Sequence, residues 1–194
     1  MDDLELNKSI KNFKRNGDRL SFEKIYRHFM PKIYRFVFLK LRDKYMAEDI
    51  TSEIFIKVYK NLQAANLNAL TFKIWLYKIS KNVLIDFYRS KKRQPEELLI
   101  DDFEYNDDLQ NVIKNKFTEE NQFDDKELNF KNPDLIEALS ELPELQKEAI
   151  ILRYVENLNY NAIGKILNKN ETAVRVLKFR ALINLKNKLE KKNG

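Results

Sequence analysis

Between residues 78 and 93 the chain places Lys78, Lys81, Asn82, Asp86 and Arg89 at helical spacing and runs on into Ser90-Lys91-Lys92-Arg93. Cations pair with phosphate oxygens, and an Asn amide can both donate to and accept from a base edge. A single lysine on a helix is ordinarily just its solvated side. A cluster of cations with an amide inside it suits nucleic acid.

A second group lies near the end of the chain. Thr172, Arg175, Lys178 and Phe179, with Asn184 further on, share the outer side of an amphipathic pattern that starts at Glu171. Arg175 and Lys178 suit guanine acceptors or phosphate oxygens, and the spacing does not choose between them. A third group is acidic: Asp49 and Glu53, four apart, alongside Phe55. Such a pair is either a solvated edge or a complement to a basic protein surface, where charge fixes register and encounter rate.

Other chemistry is excluded. There is no cysteine and one histidine, His28, so thiolate sites, disulfides, multi-His metal sites and Cys–His catalysis are ruled out. No carboxylate pair or nucleophile–base set stands out, so no enzymatic activity and no cofactor are expected. The longest uncharged stretch, Asn61 to Phe72, carries four Asn and Gln residues and is too short and polar to span a bilayer. The start, Met-Asp-Asp-Leu-Glu, is no signal peptide. A cytoplasmic protein is expected.

The elements that must carry these groups are helices. With 3 Gly and 4 Pro in 194 residues the chain lacks the breakers a turn-dense β fold needs. Apolar steps of three and four predict helices over 21–41, with a bend at Pro31, over 46–62 and over 72–88, where Phe72, Trp75, Leu76, Ile79, Val83 and Phe87 mark the inward stripe. Three such faces can close one core. Downstream, Asn132-Pro133 reads as a helix start. A second start at Leu142-Pro143-Glu144 opens a helix of about three turns to Val155. Tyr160–Leu167 is a short helix, Asn168-Lys169-Asn170 a turn, and Glu171 onward a long helix with Val174, Leu177, Ala181, Leu185 and Leu189 inward. A short helix, a tight turn and a longer helix suit a helix-turn-helix, or an ordinary helical hairpin.

Charge supports two domains about a linker. Residues 1–93 hold 21 Lys/Arg against 10 Asp/Glu, residues 94–133 hold 4 against 12, and residues 134–194 hold 11 against 8. The middle block loses its periodicity and is broken by acid pairs, which predicts a solvated, flexible linker over 94–132. The other reading has its apolar residues docking on a partner while its acids follow a nucleic-acid path.

The two ends together resemble a known family. Ala47-Glu48-Asp49-Ile50-Thr51-Ser52-Glu53-Ile54-Phe55-Ile56-Lys57-Val58-Tyr59 is similar to region 2.2 of the sigma-70 family. Phe72 to Asn82, continuing through Ile85-Asp86 to Arg89 and Arg93, resembles regions 2.3 and 2.4. Leu142-Pro143 with Ala149 to Tyr154 resembles the start of region 4, and Ala173 to Leu182 its recognition helix. The small size points to the extracytoplasmic-function group.

The resemblance implies an all-α protein of two small domains: region 2 over 1–93 and a region 4 helix-turn-helix over 133–194, joined by the acidic linker. It implies a transcription initiation factor without catalysis. Asp49, Glu53 and Phe55 match positions that bind the β′ clamp coiled coil of core RNA polymerase. Lys78, Lys81, Asn82, Asp86, Arg89, Lys91, Lys92 and Arg93 fall on the surface that melts and reads the −10 element. Thr172, Arg175, Lys178, Phe179 and Arg180 fall on the helix that reads the −35 element, and region 4 also touches the β flap. Promoter DNA, core polymerase and an anti-sigma factor are the partners this suggests.

The chain departs from the pattern at Ser52, where a Gln is usual, at Asn161 for Glu, and at Gly164 for Ala. The loop Gln63–Thr71, which holds a flipped base in relatives, reads Asn66-Leu67-Asn68-Ala69-Leu70. A helix-turn-helix regulator that never touches polymerase would explain residues 133–194 but not the Trp75–Arg93 string. A purely protein-binding helical adaptor would show little salt dependence on DNA.

Overall fold

The computed structural model describes residues 1–91 and 132–193. Lys92, Arg93 and all of the expected linker except Asn132 lie outside the described residues. The chain divides into two compact units, Met1–Gln94 and Pro95–Gly194. Every regular element among the described residues is helical.

The first unit holds four helices, α1 (Asp3–Asn16), α2 (Arg19–Leu41), α3 (Lys44–Leu62) and α4 (Ala69–Ser90). The three expected helices are joined by α1, which buries Leu6, Ile10 and Phe13 at steps of four and three. Its ends are well made. The Asp2 carboxylate accepts the Glu5 N–H at 2.7 Å. Gly17, at φ 64°, turns the chain in the left-handed region while its N–H donates to the Phe13 carbonyl. Asp18 then caps α2: the Ser21 hydroxyl donates to it at 2.6 Å and holds its carboxyl below the usual carboxylate range.

Helix α2 runs on through Pro31 as one element. The proline removes one backbone hydrogen bond, but Phe29 and Ile33 on either side are fully packed and hold the helix in place. The core of the unit forms where Ile25, Phe29, Ile33 and Phe36 of α2, Ile54 and Val58 of α3, and α4 converge.

The buried face of α4 is rotated from the expected stripe. Phe72, Leu76, Tyr77, Ser80, Val83 and Leu84 are inside, whereas Trp75, Ile79 and Phe87 are only half-buried. Tyr77 reaches the Phe36 ring edge-on, with centroids 5.5 Å apart. Ser80 satisfies its hydroxyl on the Leu76 carbonyl at 2.9 Å, so it sits in the core without an orphaned donor.

The second unit holds α5 (Pro133–Ser140), α6 (Glu144–Ile150), a single π turn (Ile151–Val155), α7 (Tyr160–Leu167) and α8 (Glu171–Asn193). Asn132, Asn159 and Asn170 cap three of these starts through their side-chain carbonyls. The expected three-turn helix to Val155 is therefore two pieces. The Glu156 N–H reaches back five residues to the Ile151 carbonyl at 3.1 Å, which widens the last turn. Val155 and Leu145 are half-buried, while residues 146–152 are buried on every side because α6 runs into the packed centre of the unit.

Gly164 marks the closest approach between α7 and its turn. The Lys169 N–H donates to the Gly164 carbonyl at 3.0 Å, and a Cβ at Gly164 would lie 2.6 Å from the Lys169 carbonyl oxygen. That neighbour is backbone and cannot swing away. Gly164→Ala is expected to destabilise the second unit by about 1–3 kcal/mol. The single tryptophan, Trp75, lies in the first unit. Thermal melts should therefore show the second unit's part of the circular-dichroism transition shifted down and the tryptophan-fluorescence transition unmoved.

Candidate nucleic-acid interface

Because α4 buries one face, the 3.6-residue repeat assigns the opposite one. Lys78, Asn82 and Arg89 fall on it, and Trp75, Ile79 and Asp86 lie along its edge at steps of four and seven. Lys78, Asn82, Asp86, Arg89 and Lys91 are exposed and Lys81 is half-buried toward one side. The outer face is thus basic and amide-bearing, with an indole and an aliphatic side chain half-exposed at its N-terminal half. Those two apolar groups belong to this surface, and a reading that assigned them to the core missed them. The Lys91 ammonium lies 5.8 Å from the Phe87 ring centroid, which keeps that cation near the helix end.

Of the acidic group on α3, Asp49 and Glu53 are exposed. Phe55 is 4% exposed and packs edge-on against Tyr26 at 4.9 Å, so its ring belongs to the unit's core and not to an open surface. Ser52 turns its hydroxyl back onto the Glu48 carbonyl at 2.9 Å. One turn beyond Glu53, Lys57 links the two surfaces: its ammonium is 3.1 Å from Glu53 and 3.8 Å from Asp86 of α4. The pairs are half-exposed and weak, about 0–1 kcal/mol each. Their effect is positional, holding the acidic edge of α3 beside the outer face of α4. Position i+4 from Glu53 was the available signal for Lys57.

In the second unit α7, the turn 168–170 and α8 form the expected helix-turn-helix. Thr172 is exposed, and Arg175, Phe179 and Arg180 are half-buried. Lys178 is 8% exposed, so it does not stand on the open face the pattern assigned to it. Asn184 is likewise drawn inward, donating from Nδ2 to Gln146 Oε1 at 2.9 Å. Lys178 lies instead beside Tyr160, the first residue of α7. Its ring is met by Arg175 at 4.1 Å, Arg153 at 5.1 Å and Lys178 at 5.8 Å. The π turn delivers Arg153 there, where its guanidinium also donates to the Leu158 carbonyl at 3.3 Å. Arg175 is fixed on its other side by Glu171 at 2.8 Å. Helical spacing does not reveal Tyr160, because its partners lie on two other elements, the π turn and α8.

These surfaces define a class: a two-unit helical DNA-binding factor, with an amide-bearing basic helix in one unit and a helix-turn-helix in the other. Comparison with known proteins makes this specific. Sigma-70 region 2 matches residues 25–94, and Sigma-70, region 4 matches residues 134–185. The chain is 30% identical over 167 residues to the ECF RNA polymerase sigma factor SigM of Bacillus subtilis, covering 86% of this chain and 94% of that protein. It is 29% identical over 169 residues to SigW of the same organism, covering 86% and 87%. Among solved structures, CnrH in complex with the cytosolic domain of CnrY shares the fold with a TM-score of 0.61 at 14% identity, covering 98% of this chain and 97% of that one. RpoE of Bartonella quintana, solved with the anti-sigma factor NepR, gives 0.58 at 18% identity, covering 87% and 96%. The chain belongs to the sigma-70 family of RNA polymerase sigma factors, in its extracytoplasmic-function group, and is a promoter-directing initiation factor. No helix among the described residues is long and apolar enough to cross a membrane.

The three-cation arrangement at Tyr160 has a measurable consequence. Tyr160→Phe keeps the ring and should leave the second unit's stability within about 0.5 kcal/mol, whereas Tyr160→Leu should lower it by about 1–2 kcal/mol. Urea unfolding followed by circular dichroism separates the two variants.

Proposed function

We propose that this factor docks on core polymerase through Asp49 and Glu53 and reads a promoter with two separate helices. The outer face of α4 takes the −10 element and the start of α8 takes the −35 element. The observation that carries the reading is the division of α4 into a packed face and an outer face bearing Trp75, Asn82 and flanking cations. Unstacking a base costs a few kcal/mol, and this face holds what offsets that cost: a ring for stacking, an amide for a base edge and lysines for phosphate. Exposed carboxylates on α3 suit a basic partner surface.

On α8, Thr172 and Arg175 are the residues assigned to the −35 bases. Tyr160 and Glu171 hold the Arg175 guanidinium in one pose, which lowers the entropy lost on contact. Lys178, Phe179 and Arg180 are assigned the flanks of the same contact, and Lys91, Lys92 and Arg93 the phosphates beyond α4. The acidic linker over 94–132 would follow the path of nucleic acid through the polymerase. The factor performs no catalysis, works in the cytoplasm and, like RpoE in its complex with an anti-sigma factor, is suited to capture by such a protein.

The test is transcription from a promoter library with core polymerase. Adding the factor should create new start sites and a stable core complex, and neither appearing would end the reading. Asn82→Ala should lower open-complex formation by about tenfold and leave core binding and −35 protection intact. Arg175→Ala should weaken −35 protection by about 10–100-fold, the cost of one bidentate contact. A plain helix-turn-helix regulator would show only the second effect.

A further inference from the structure

Helix α1 lies before residue 25, where the family match begins. Its polar side chains nonetheless make three tertiary bonds, all to one short stretch of the first unit. Lys14 donates from Nζ to the Ala65 carbonyl. Asn7 Oδ1 accepts the Ala69 N–H at 2.7 Å. Asp3 pairs with Lys73 at 2.7 Å. The target is the α3–α4 connection and the first turn of α4.

The two backbone groups involved are ones the connection cannot satisfy alone. The Ala69 N–H is the first donor of α4 and has no partner within the helix. Asn68 is already committed: it caps the Thr71 N–H at 2.9 Å while its own N–H donates to the Thr71 hydroxyl at 2.8 Å. The Ala65 carbonyl lies just past the end of α3, where a cation is favoured. Both Lys14 and Asn7 are half-buried, so each bond is partly shielded from water. Between the two fixed points the connection leaves the Asn66 amide exposed, with Gln63 exposed just before them and Leu70 52% exposed just after.

We propose that α1 sets the shape of this loop, and that Asn7 and Lys14 are positioning residues for base selection at the −10 element. The inference rests on the reading of α4 as the −10 surface. A loop pinned at both ends presents its amides in one arrangement and can tell bases apart. A loop freed at one end presents many and discriminates poorly.

The experiment uses the full chain with core polymerase and four promoters that differ only in the non-template base captured at the −10 element. The ratio of open-complex formation between the best and worst base is measured, together with core affinity and hydrogen exchange at the Ala69 amide of the free factor. Asn7→Ala and Lys14→Met should each lower that ratio by about tenfold, the equivalent of one well-made hydrogen bond, with core affinity unchanged. Asn7→Ala should also speed exchange at Ala69. Asn7→Asp keeps the acceptor and should retain the ratio. Unchanged discrimination in both Asn7→Ala and Lys14→Met overturns the proposal. So does a loss in Asn7→Asp equal to that in Asn7→Ala while Ala69 stays protected. If the natural chain itself opens no −10 element, the failure lies with the functional reading, and exchange at Ala69 still reports whether Asn7 holds the loop.

Discussion

The burial of α4 along Phe72, Leu76, Ser80, Val83 and Leu84 decides most of what the first unit can do. A straight helix has no freedom to rotate one side chain relative to another, so a packed face assigns the opposite face. Ser80 is the telling residue. It is fully buried, and its hydroxyl is satisfied within its own helix. Close packing at this line leaves Asn82 and Asp86 exposed, with Trp75 and Ile79 half-buried at its edge. Truncating a side chain such as the fully buried Leu76 leaves a cavity worth about 2–5 kcal/mol, so the surface is as rigid as the core beneath it.

The same logic holds in the second unit with a different device. The start of α8 is oriented by an aromatic ring and a carboxylate acting on Arg175 from two sides. Three cations share that ring, and a π turn in the preceding helix brings one of them into range. Wider turns of this kind cost helix geometry and persist where the displaced residue gains a specific contact. Gly164 then lets the turn lie against α7 closely enough to set where α8 begins.

Much of this was legible in the residues. Helices α2 to α4, the capped start at Asn132-Pro133 and the helix-turn-helix all carry period-3.6 patterns and recognisable ends. Helix α1 carried the same signals, with Asp2 and Gly17 as caps around Leu6, Ile10 and Phe13, and only its short length and high charge obscured it. Side-chain assignment at stripe edges was harder. Trp75 and Phe55 are both large and apolar, and periodicity cannot tell that one sits at a rim and the other under Tyr26. Lys178 reads as exposed from its charge alone, yet it is buried and lies beside Tyr160, eighteen residues earlier on another helix. Contacts across elements, including those of Asn7 and Lys14 with the α3–α4 connection, leave no trace in local spacing.

The central claim is that two helices of one chain address two separate stretches of promoter while the factor rides on polymerase. The chain has no cysteine, so a single Cys introduced at an exposed position gives a unique attachment point for a DNA-cleaving iron chelate. Asn82→Cys and Thr172→Cys, each assembled with core polymerase on an end-labelled promoter, report directly. Cleavage from position 82 confined to the −10 region and from position 172 confined to the −35 region is the predicted result. Cutting of one shared segment by both probes, or no cutting by either in the assembled complex, would contradict it.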